Sequence, residues 1–231
     1  MNSGDEASGR PGRNRKPPRR GQTRPQSPDT PELAERRAQA PTAQALIKAA
    51  RRLFAEGGPQ WATDKRIHDT AVRPGGRKGW PLGTIRYYFG GREQLLVHLA
   101  RYEHLTQLDR VRRALRSVDA AGELPRALLR LAEDLEHYQV TFGLLTEARQ
   151  MPDLRAAQQA LWEDWLSKLT EIVSELQQRQ IVRPGHDPYA LALLWSSITA
   201  GLAAHHLANP AIQLSPALEL ARAYAAAAIL P

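Results

Sequence analysis

The apolar residues of this chain recur at spacings of three and four residues, which is the repeat of one face of an α-helix. Residues 42–56 give a clear early example. Their apolar face is formed by Leu46, Ala49, Ala50, Leu53 and Phe54. No segment of useful length alternates apolar and polar residues as a half-buried strand does, and the sequence contains no internal repeat. The pattern therefore predicts an all-α protein.

Prolines, glycines and capping residues divide this pattern into separate helices. The first four predicted helices span residues 42–56, 63–71, 82–88 and 92–117. Gly57, Gly58 and Pro59 end the first helix, and Thr63 is a suitable N-cap for the second. A loop with two prolines and three glycines, residues 73–81, separates the second helix from the third. We therefore expect three short helices followed by a longer one.

The second half of the chain has the same helical spacing, beginning with a repeat from Leu124 to Tyr138 that predicts continued helix. Further helices are predicted over about 153–180, 188–207 and 215–230. Asp187 followed by Pro188 is a favourable start for the helix that it precedes. This helix is apolar on nearly every side and therefore needs neighbours all round. We expect one of those neighbours to be a second copy of the chain.

Composition limits the classes of protein to which the chain can belong. Apolar residues make up 42% of the 231 residues, which is enough for a packed core. The absence of cysteine excludes disulfides and thiolate metal sites. Residues 1–40 have few large apolar side chains, so we expect a disordered basic arm there. The sequence has no run of 18 apolar residues, and its start lacks the apolar segment of a secretory signal.

Positive charge is concentrated in the first half of the sequence. The net charge of +8 divides into +4 for residues 1–40, +6 for 41–103 and −2 for 104–231. A phosphate backbone is the usual partner of such a positive region, because binding releases counterions. We therefore expect a DNA-binding domain in residues 41–103 and a helical domain in 104–231. The basic arm either lies along phosphates or serves as a solubilising tail.

The segment 83–89 places aromatic side chains and an arginine in the most basic part of the predicted folded region. In a helix-turn-helix unit, the second helix offers its N-terminal residues to base edges in the major groove. We predict this role for the helix 82–88. Thr84 would contact a base through its hydroxyl or methyl group, and Arg86 would bind guanine through its planar fork.

The other residues of this segment divide between the core and the phosphate backbone. Ile85 and Phe89 are predicted to be buried. Two adjacent residues on a helix cannot both face inward, so Tyr87 and Tyr88 are predicted to reach phosphate through their hydroxyls. The complete predicted DNA-binding set is Thr63, Lys65, Arg66, Arg77, Lys78, Gly83, Thr84, Arg86, Tyr87, Tyr88 and Arg92.

Residues 42–102 resemble the TetR family of bacterial transcriptional regulators. The similarity is carried by residues 49–57, by Ala62-Thr63 with Ile67, and by residues 81–96. The last stretch, PLGTIRYYFGGREQLL, is the most specific, because it covers the family's recognition helix and the start of its fourth helix. The resemblance implies an N-terminal helix-turn-helix domain joined by a long fourth helix to a C-terminal helical domain for ligand binding and dimerisation.

The same resemblance implies a sequence-specific transcriptional regulator in the cytoplasm. Repression is the family's usual mode, with release from a palindromic operator by a small molecule. Dimerisation is expected through about residues 188–229. For the unknown ligand, large flat side chains on the enclosing helices are the candidates, although each of them also suits plain core packing. The predicted ligand-binding set is Tyr138, Phe142, Trp162, Trp165 and Trp195.

Three positions depart from the family pattern. The loop Val72–Trp80 is about seven residues longer than the family's tight turn, at little cost in closure entropy. We expect it to add phosphate contacts through Arg73, Arg77 and Lys78. His68 stands where the family usually has a small apolar residue. Arg86 stands where many relatives have tyrosine, which suggests a distinct operator.

Other classes of function find less support in the residues. We find no phosphate-binding loop, nucleophile elbow or zinc spacing, and we expect no enzyme activity, no cofactor and no metal site. His205 and His206 point about 100° apart on a helix, which makes them poor partners for a metal. Two alternatives stay open. One is a non-specific nucleoid or architectural DNA-binding protein, and the other is a helical adaptor that binds a partner protein.

Overall fold

The computed structural model describes residues 31–73, 75–77, 79–118 and 123–217, together with Glu219, Leu220 and Ala223. Its long regular elements are all α-helices, so the predicted all-α fold is confirmed for this part of the chain. The helices are α1 (Pro31–Ala38), α2 (Pro41–Gly57), α3 (Asp64–Thr70), α4 (Thr84–Phe89), α5 (Arg92–Arg116), α6 (Leu124–Ala132), α7 (Leu135–Glu147), α8 (Pro152–Gln178) and α9 (Pro188–Ala208).

Helix α1 corrects one expectation, because it occupies residues 31–38 of the arm that we predicted to be disordered. Contacts with the rest of the fold account for its order. Ala38 is 3% exposed within the first core, and its carbonyl oxygen accepts a 2.9 Å hydrogen bond from Gln44 Nε2. Glu35 forms an ion pair with Arg101 of α5 at 3.5 Å. Residues 1–30 lie outside the described part of the chain.

Helices α6 and α7 also differ from prediction, since the apolar repeat from residue 124 suggested uninterrupted helix. The structure ends α6 at Ala132 and starts α7 at Leu135. Asp134 is the N-cap of α7, and its carboxylate accepts a hydrogen bond from the backbone N–H of His137. This capping bond stabilises a new helix start, so the break is a local effect of one aspartate.

Two hydrophobic clusters hold the helices together. The first joins α2, α3, α4 and the start of α5 to residues of α7 and α8, and it includes Leu53, Phe54, Ile67, Ile85, Leu95, Leu99, Val140, Leu144 and Leu154. The second lies among α5, α6, α8 and α9, and it includes Val111, Leu115, Leu169, Val173, Leu176, Leu191 and Trp195. The predicted domain boundary at 103–104 falls inside α5, and the first cluster contains residues from both sides of it.

Helix α9 is packed on one side and apolar on the other. Leu191, Ala192 and Trp195 are buried, whereas Tyr189, Leu193, Leu194 and Ile198 are 36–49% exposed. The helix meets the length and hydropathy criteria for a membrane span, with a mean hydropathy of 1.2 in an 18-residue window that is 28% buried. A core helix of a water-soluble protein passes the same test, so length and hydropathy alone do not identify a membrane span. Beyond α9, residues 215–217, 219, 220 and 223 are helical, and the rest of the predicted last helix lies outside the described residues.

Candidate nucleic-acid interface and cavity

Helices α3 and α4 form a pair whose ends are set by local sequence. Thr63 caps α3, with its Oγ1 accepting from the backbone N–H of Arg66 at 3.4 Å. Gly83 precedes α4 with φ 99°, and Gly90 follows it with φ 80°. Both values lie in the left-handed region that glycine adopts without a Cβ penalty. The short helix α4 is therefore fixed at both ends by glycine.

The side chains of α4 divide between the core and the surface largely as predicted. Ile85 and Phe89 are 2% and 6% exposed, which confirms that they are the buried anchors. Arg86 is exposed, and Tyr87 is 59% exposed. Tyr88 packs partly against the core, and its ring lies edge-on to that of Tyr87 with 5.0 Å between centroids. The outward face of α4 thus presents a guanidinium beside a phenol.

Other predicted DNA contacts surround this face. The Thr84 hydroxyl donates to the Pro81 carbonyl oxygen at 2.6 Å, so its methyl group and the acceptor side of its oxygen are left for an outside partner. Lys65 is exposed on α3. The Arg66 guanidinium lies 3.5 Å from the centroid of the Trp61 ring, a cation–π contact that holds the side chain in place.

The long α3–α4 loop, residues 71–83, is folded back on itself. The backbone N–H of Arg73 donates to the Arg77 carbonyl oxygen at 2.6 Å, and that of Gly79 donates to the Ala71 carbonyl oxygen at 3.2 Å. The Arg73 guanidinium donates to the Gly79 carbonyl oxygen and lies over the Trp80 ring at 5.2 Å. These contacts give Arg73 a structural role, whereas Arg77 is exposed. Lys78 lies outside the described residues.

His68 joins α3 to α4, and this contact explains why a histidine occupies the position. Its side chain is 3% exposed, and Nε2 accepts a hydrogen bond from the backbone N–H of Ile85 at 3.3 Å. Its carbonyl oxygen also accepts from the backbone N–H of Trp80 at 3.0 Å. A small apolar residue supplies no acceptor here. The imidazole therefore fixes α4 against α3 where the longer loop provides no tight turn.

Arg92 has a different role from the phosphate contact that we expected. Its guanidinium donates to the carbonyl oxygen of Ala62 at 2.6 Å, and lies 3.3 Å from an Asp64 carboxylate oxygen and 3.4 Å from one of Glu147. These groups belong to the α2–α3 loop, α3 and α7. Arg92 is therefore a clamp within the fold, and these contacts leave less of its guanidinium for a phosphate.

A cavity of about 160 Å³ lies among α5, α7, α8 and α9. Four residues of the predicted ligand-binding set line it, namely Tyr138, Phe142, Trp162 and Trp165. Trp165 is held by a 3.1 Å hydrogen bond from Nε1 to the Ser196 hydroxyl. Trp195 is absent from the lining and is instead 6% exposed in the second hydrophobic cluster. Its neighbour Ser196 faces the cavity, and adjacent helical residues point about 100° apart, so the structure does not bring Trp195 to this cavity with the other four.

One end of the cavity is polar, and sequence reasoning missed it. Glu103 of α5 is 3% exposed; its Oε1 accepts from Arg51 Nε at 2.5 Å, and its Oε2 lies 3.0 Å from His137 Nδ1. One turn further along α5, Gln107 is also 3% exposed, and its Oε1 is buried with no hydrogen-bond partner. A signal was present, because Glu103 continues the four-residue spacing of Leu95 and Leu99 with a charge on an apolar face.

Burial and neighbouring charges shift two ionisable groups near the cavity. Burial lowers the pKa of Arg51, but the hydrogen bond and charge of Glu136 and Glu103 outweigh it and raise the pKa overall. Burial raises the pKa of the Tyr138 hydroxyl, and its hydrogen bond with Thr199 offsets part of that rise. Tyr138 is therefore a neutral phenol, while Arg51 is a charged guanidinium at the polar end of the cavity.

Known proteins with similar sequences and folds are transcriptional regulators. The family described as "BetI-type transcriptional repressor, C-terminal" matches residues 121–230. Over 130 residues, 56% of this chain, the sequence is 28% identical to the HTH-type transcriptional repressor AcnR of Corynebacterium efficiens. The chain aligns with 61% of that relative's length.

Solved structures with the same fold cover more of the chain. A proposed TetR-family regulator from Rhodococcus sp. has a TM-score of 0.58 at 23% identity, covering 83% of this chain and 94% of its own. A proposed transcriptional regulator from Saccharomonospora viridis, solved in complex with choline, has a TM-score of 0.62 at 20% identity. That similarity covers 86% of this chain and 99% of the other. At these identities the structures establish the fold alone.

Proposed function

We propose that the chain is a transcriptional regulator of the TetR family, a sequence-specific DNA-binding repressor that a small molecule releases from a palindromic operator. This family consists of regulators and not enzymes. The observation that carries the proposal is the outward face of α4, where Arg86 and Tyr87 are exposed between two fixed helix ends. A regulator of this kind works in the cytoplasm of a bacterium, where the DNA is.

In this proposal α4 lies in the major groove. Arg86 binds guanine through two hydrogen bonds, and the methyl group of Thr84 contacts thymine. The surrounding residues hold the phosphate backbone and set the position of α4 without reading sequence. These surrounding residues are Thr63, Lys65, Arg66, Arg77, Lys78, Gly83, Tyr87 and Tyr88.

The apolar surface of α9 supports a homodimer formed through about residues 188–229. Leu193 and Leu194 are each 40% exposed on this helix, and a two-fold partner would cover them with the same surface. A two-fold dimer presents two copies of α4 to successive major-groove faces, which is the arrangement that reads a palindrome. This partner accounts for the apolar face of α9 without a membrane.

The chemistry of the cavity favours a small organic cation as the ligand. Aromatic faces attract cations, and the lining includes the rings of Tyr138, Phe142, Trp162 and Trp165. Among the residues that the structure describes, the lining includes Glu103 and no lysine or arginine. Gln107 adds a buried oxygen that lacks a donor. Choline, which the Saccharomonospora viridis regulator binds, has the positive charge and the hydroxyl donor that suit this lining.

Selection of bound duplexes from random DNA, at physiological salt, tests the proposed DNA reading. We expect enrichment of a palindrome whose half-sites lie about one helical turn or a multiple of it apart. Arg86→Ala should lose about 1–3 kcal/mol of discrimination at one base of each half-site while keeping affinity for random DNA. Affinity for selected and random duplexes that differs little would instead support the architectural alternative.

Calorimetry with choline and its uncharged carbon isostere, 3,3-dimethylbutan-1-ol, tests the proposed ligand class. The two molecules have nearly the same shape, so a difference in affinity reports the positive charge. We expect choline to bind and the isostere to bind at least about tenfold more weakly, the size of a cation–π contribution of about 1.4 kcal/mol. Equal binding would show that the positive charge is not recognised, and binding of neither compound would exclude choline as the ligand.

A further inference from the structure

The polar end of the cavity is also the place where the DNA-binding half of the molecule is attached to the ligand-binding half. Arg51 belongs to α2, Glu103 to α5 and His137 to α7. Arg51 Nε lies 2.5 Å from Glu103 Oε1, and Arg51 Nη1 lies 2.9 Å from a Glu136 carboxylate oxygen. The Arg51 and Glu103 side chains are 17% and 4% exposed, so this ion pair is shielded from solvent.

The position of α2 determines where α3 and α4 lie. All three helices contribute to the first hydrophobic cluster, through residues such as Phe54, Ile67 and Ile85. There is also no slack between α2 and α7, since a Cβ added at Gly143 would lie 3.0 Å from Phe54 Cδ1. A change in how Arg51 is held therefore acts on helices that are packed directly against the proposed recognition helix.

Glu103 lies between the cavity and helix α2 and contacts both. Glu103 lines the cavity, and its carboxylate holds Arg51 through Oε1 and His137 through Oε2. Arg51 Nη2 is buried without a hydrogen-bond partner, and so is Gln107 Oε1 on the cavity side. On the α2 side the Arg51 Nη2 donor therefore lacks an acceptor, and on the cavity side the Gln107 Oε1 acceptor lacks a donor. A group that donates from within the cavity enters competition with Arg51 for the same carboxylate.

We propose that Glu103 couples the cavity to the DNA-binding helices by holding Arg51 when the cavity is empty and releasing it when a cationic group takes its carboxylate. This inference rests on the proposed function and specifies how that function is regulated. The ligand favours the state in which Glu103 faces the cavity, and DNA favours the state in which Glu103 faces Arg51. Their effects on each other's affinity are therefore reciprocal.

Glu103→Gln tests the coupling without any ligand, because it keeps the shape of the side chain and removes the charge that holds Arg51. We expect operator affinity to fall about tenfold, within the usual range of coupling between sites. Amide hydrogen exchange in α2 should become faster in the absence of DNA. Arg52→Met is the matched control, since Arg52 is exposed on the same helix and, in the described part of the chain, pairs with Glu56 at the surface. It should leave both measurements unchanged.

A tethered cation tests the direction of the effect. Thr141 lines the cavity one turn along α7 from His137, so Thr141→Lys places an ammonium group near Glu103, and Thr141→Met places a neutral chain of similar length there. We expect the lysine variant, and not the methionine variant, to weaken operator binding about tenfold and to speed exchange in α2.

The two measurements separate failure of this inference from failure of the proposed function. If no operator is found but α2 exchange responds to Glu103→Gln and Thr141→Lys, the coupling stands and the DNA assignment falls. If an operator is found and folded Glu103→Gln protein binds it with wild-type affinity and wild-type α2 exchange, the coupling is refuted. Should Glu103→Gln fail to fold, the lysine and methionine pair at residue 141 decides the question by the same criteria.

Discussion

Four arginines in the basic half of the chain show how the fold assigns different roles to one residue type. Arg51 joins α2 to the cavity, Arg73 holds the α3–α4 loop, and Arg92 clamps α5 to α3 and α7. Arg86 is exposed on α4. Net charge counts all four equally, yet ion pairs and carbonyl oxygens already occupy three of them. The positive surface available to phosphate is therefore smaller than the sequence charge suggests.

The buried side of the α4–α5 contact predicts a pH dependence of stability. The His98 ring lies 5.5 Å from the Phe89 ring, and burial lowers the His98 pKa, aided by Arg101 and opposed by Glu35. Because the pKa of His98 is lower in the folded protein, the imidazole of the unfolded chain becomes protonated at a higher pH than that of the folded protein. The stabilisation from neutral His98 is therefore complete above the unfolded value, about 6.5, and is lost as the pH falls through the folded value.

We expect His98→Gln to lose less unfolding free energy than the wild-type protein when the pH is lowered from about 7 to about 5. Urea unfolding at both pH values measures the difference. The glutamine variant should be less stable than wild type at the higher pH, because it loses the contact with Phe89, and the gap should narrow on acidification. A gap of constant size would contradict the assignment of this pH dependence to His98.

At the scale of helices, local sequence signals predicted the bounds of those helices whose ends depend on nearby residues. Caps, glycines and apolar spacing placed α2 to α5, α8 and α9 within one or two residues of their observed ends. Helix α1 was missed because its order depends on contacts with α2 and α5. The link from Arg51 to Glu103 spans 52 residues, so no local pattern could reveal it. The position of Trp195 in the second cluster, away from the cavity lining, could not be predicted, because a helix that is apolar all round does not show which side faces a cavity.

We predict that the α3–α4 loop contacts the phosphate backbone through Arg77. The loop leads directly into the N-terminus of α4, the end that faces base edges in the proposed complex, so its exposed arginine lies at the DNA surface. We expect Arg77→Ala to weaken binding to operator and random DNA alike. The slope of log affinity against log salt should also flatten by about 0.9, the effect of losing one phosphate contact.

Arg155→Ala is the matched control for this loop, since Arg155 is an exposed arginine on α8. It should leave the salt slope unchanged. Arg73→Ala should behave differently from Arg77→Ala, because it removes the contacts with Gly79 and Trp80 and so disturbs the loop and the start of α4. We therefore expect it to reduce operator specificity. An unchanged salt slope in Arg77→Ala would remove the loop from the interface.

At the scale of the whole molecule, the two hydrophobic clusters hold different sets of helices together. The first cluster connects the proposed recognition helix to α7 through α2 and α5, and the second holds α8 and α9 together with the apolar surface of α9 facing outward. The cavity lies where α5, α7, α8 and α9 meet, in contact with residues of both hydrophobic clusters. A ligand there is well placed to change the angle between the proposed dimer surface and α4, which sets the spacing of two recognition helices.

The outward surface of α9 can be tested with two leucines that differ in position and share chemistry. Leu193 is 40% exposed on α9, and Leu105 is 66% exposed on α5, which does not belong to the proposed dimer segment 188–229. Leu193→Glu places a charge in a two-fold contact, where each copy meets its own image, so we expect a monomeric mass by light scattering at micromolar concentration. Leu105→Glu should stay dimeric. The monomer should also lose most of its affinity for the palindrome while keeping affinity for a single half-site, because each copy contributes one recognition helix. A monomeric wild-type protein, or a dimeric Leu193→Glu protein, would show that another surface or none joins the copies.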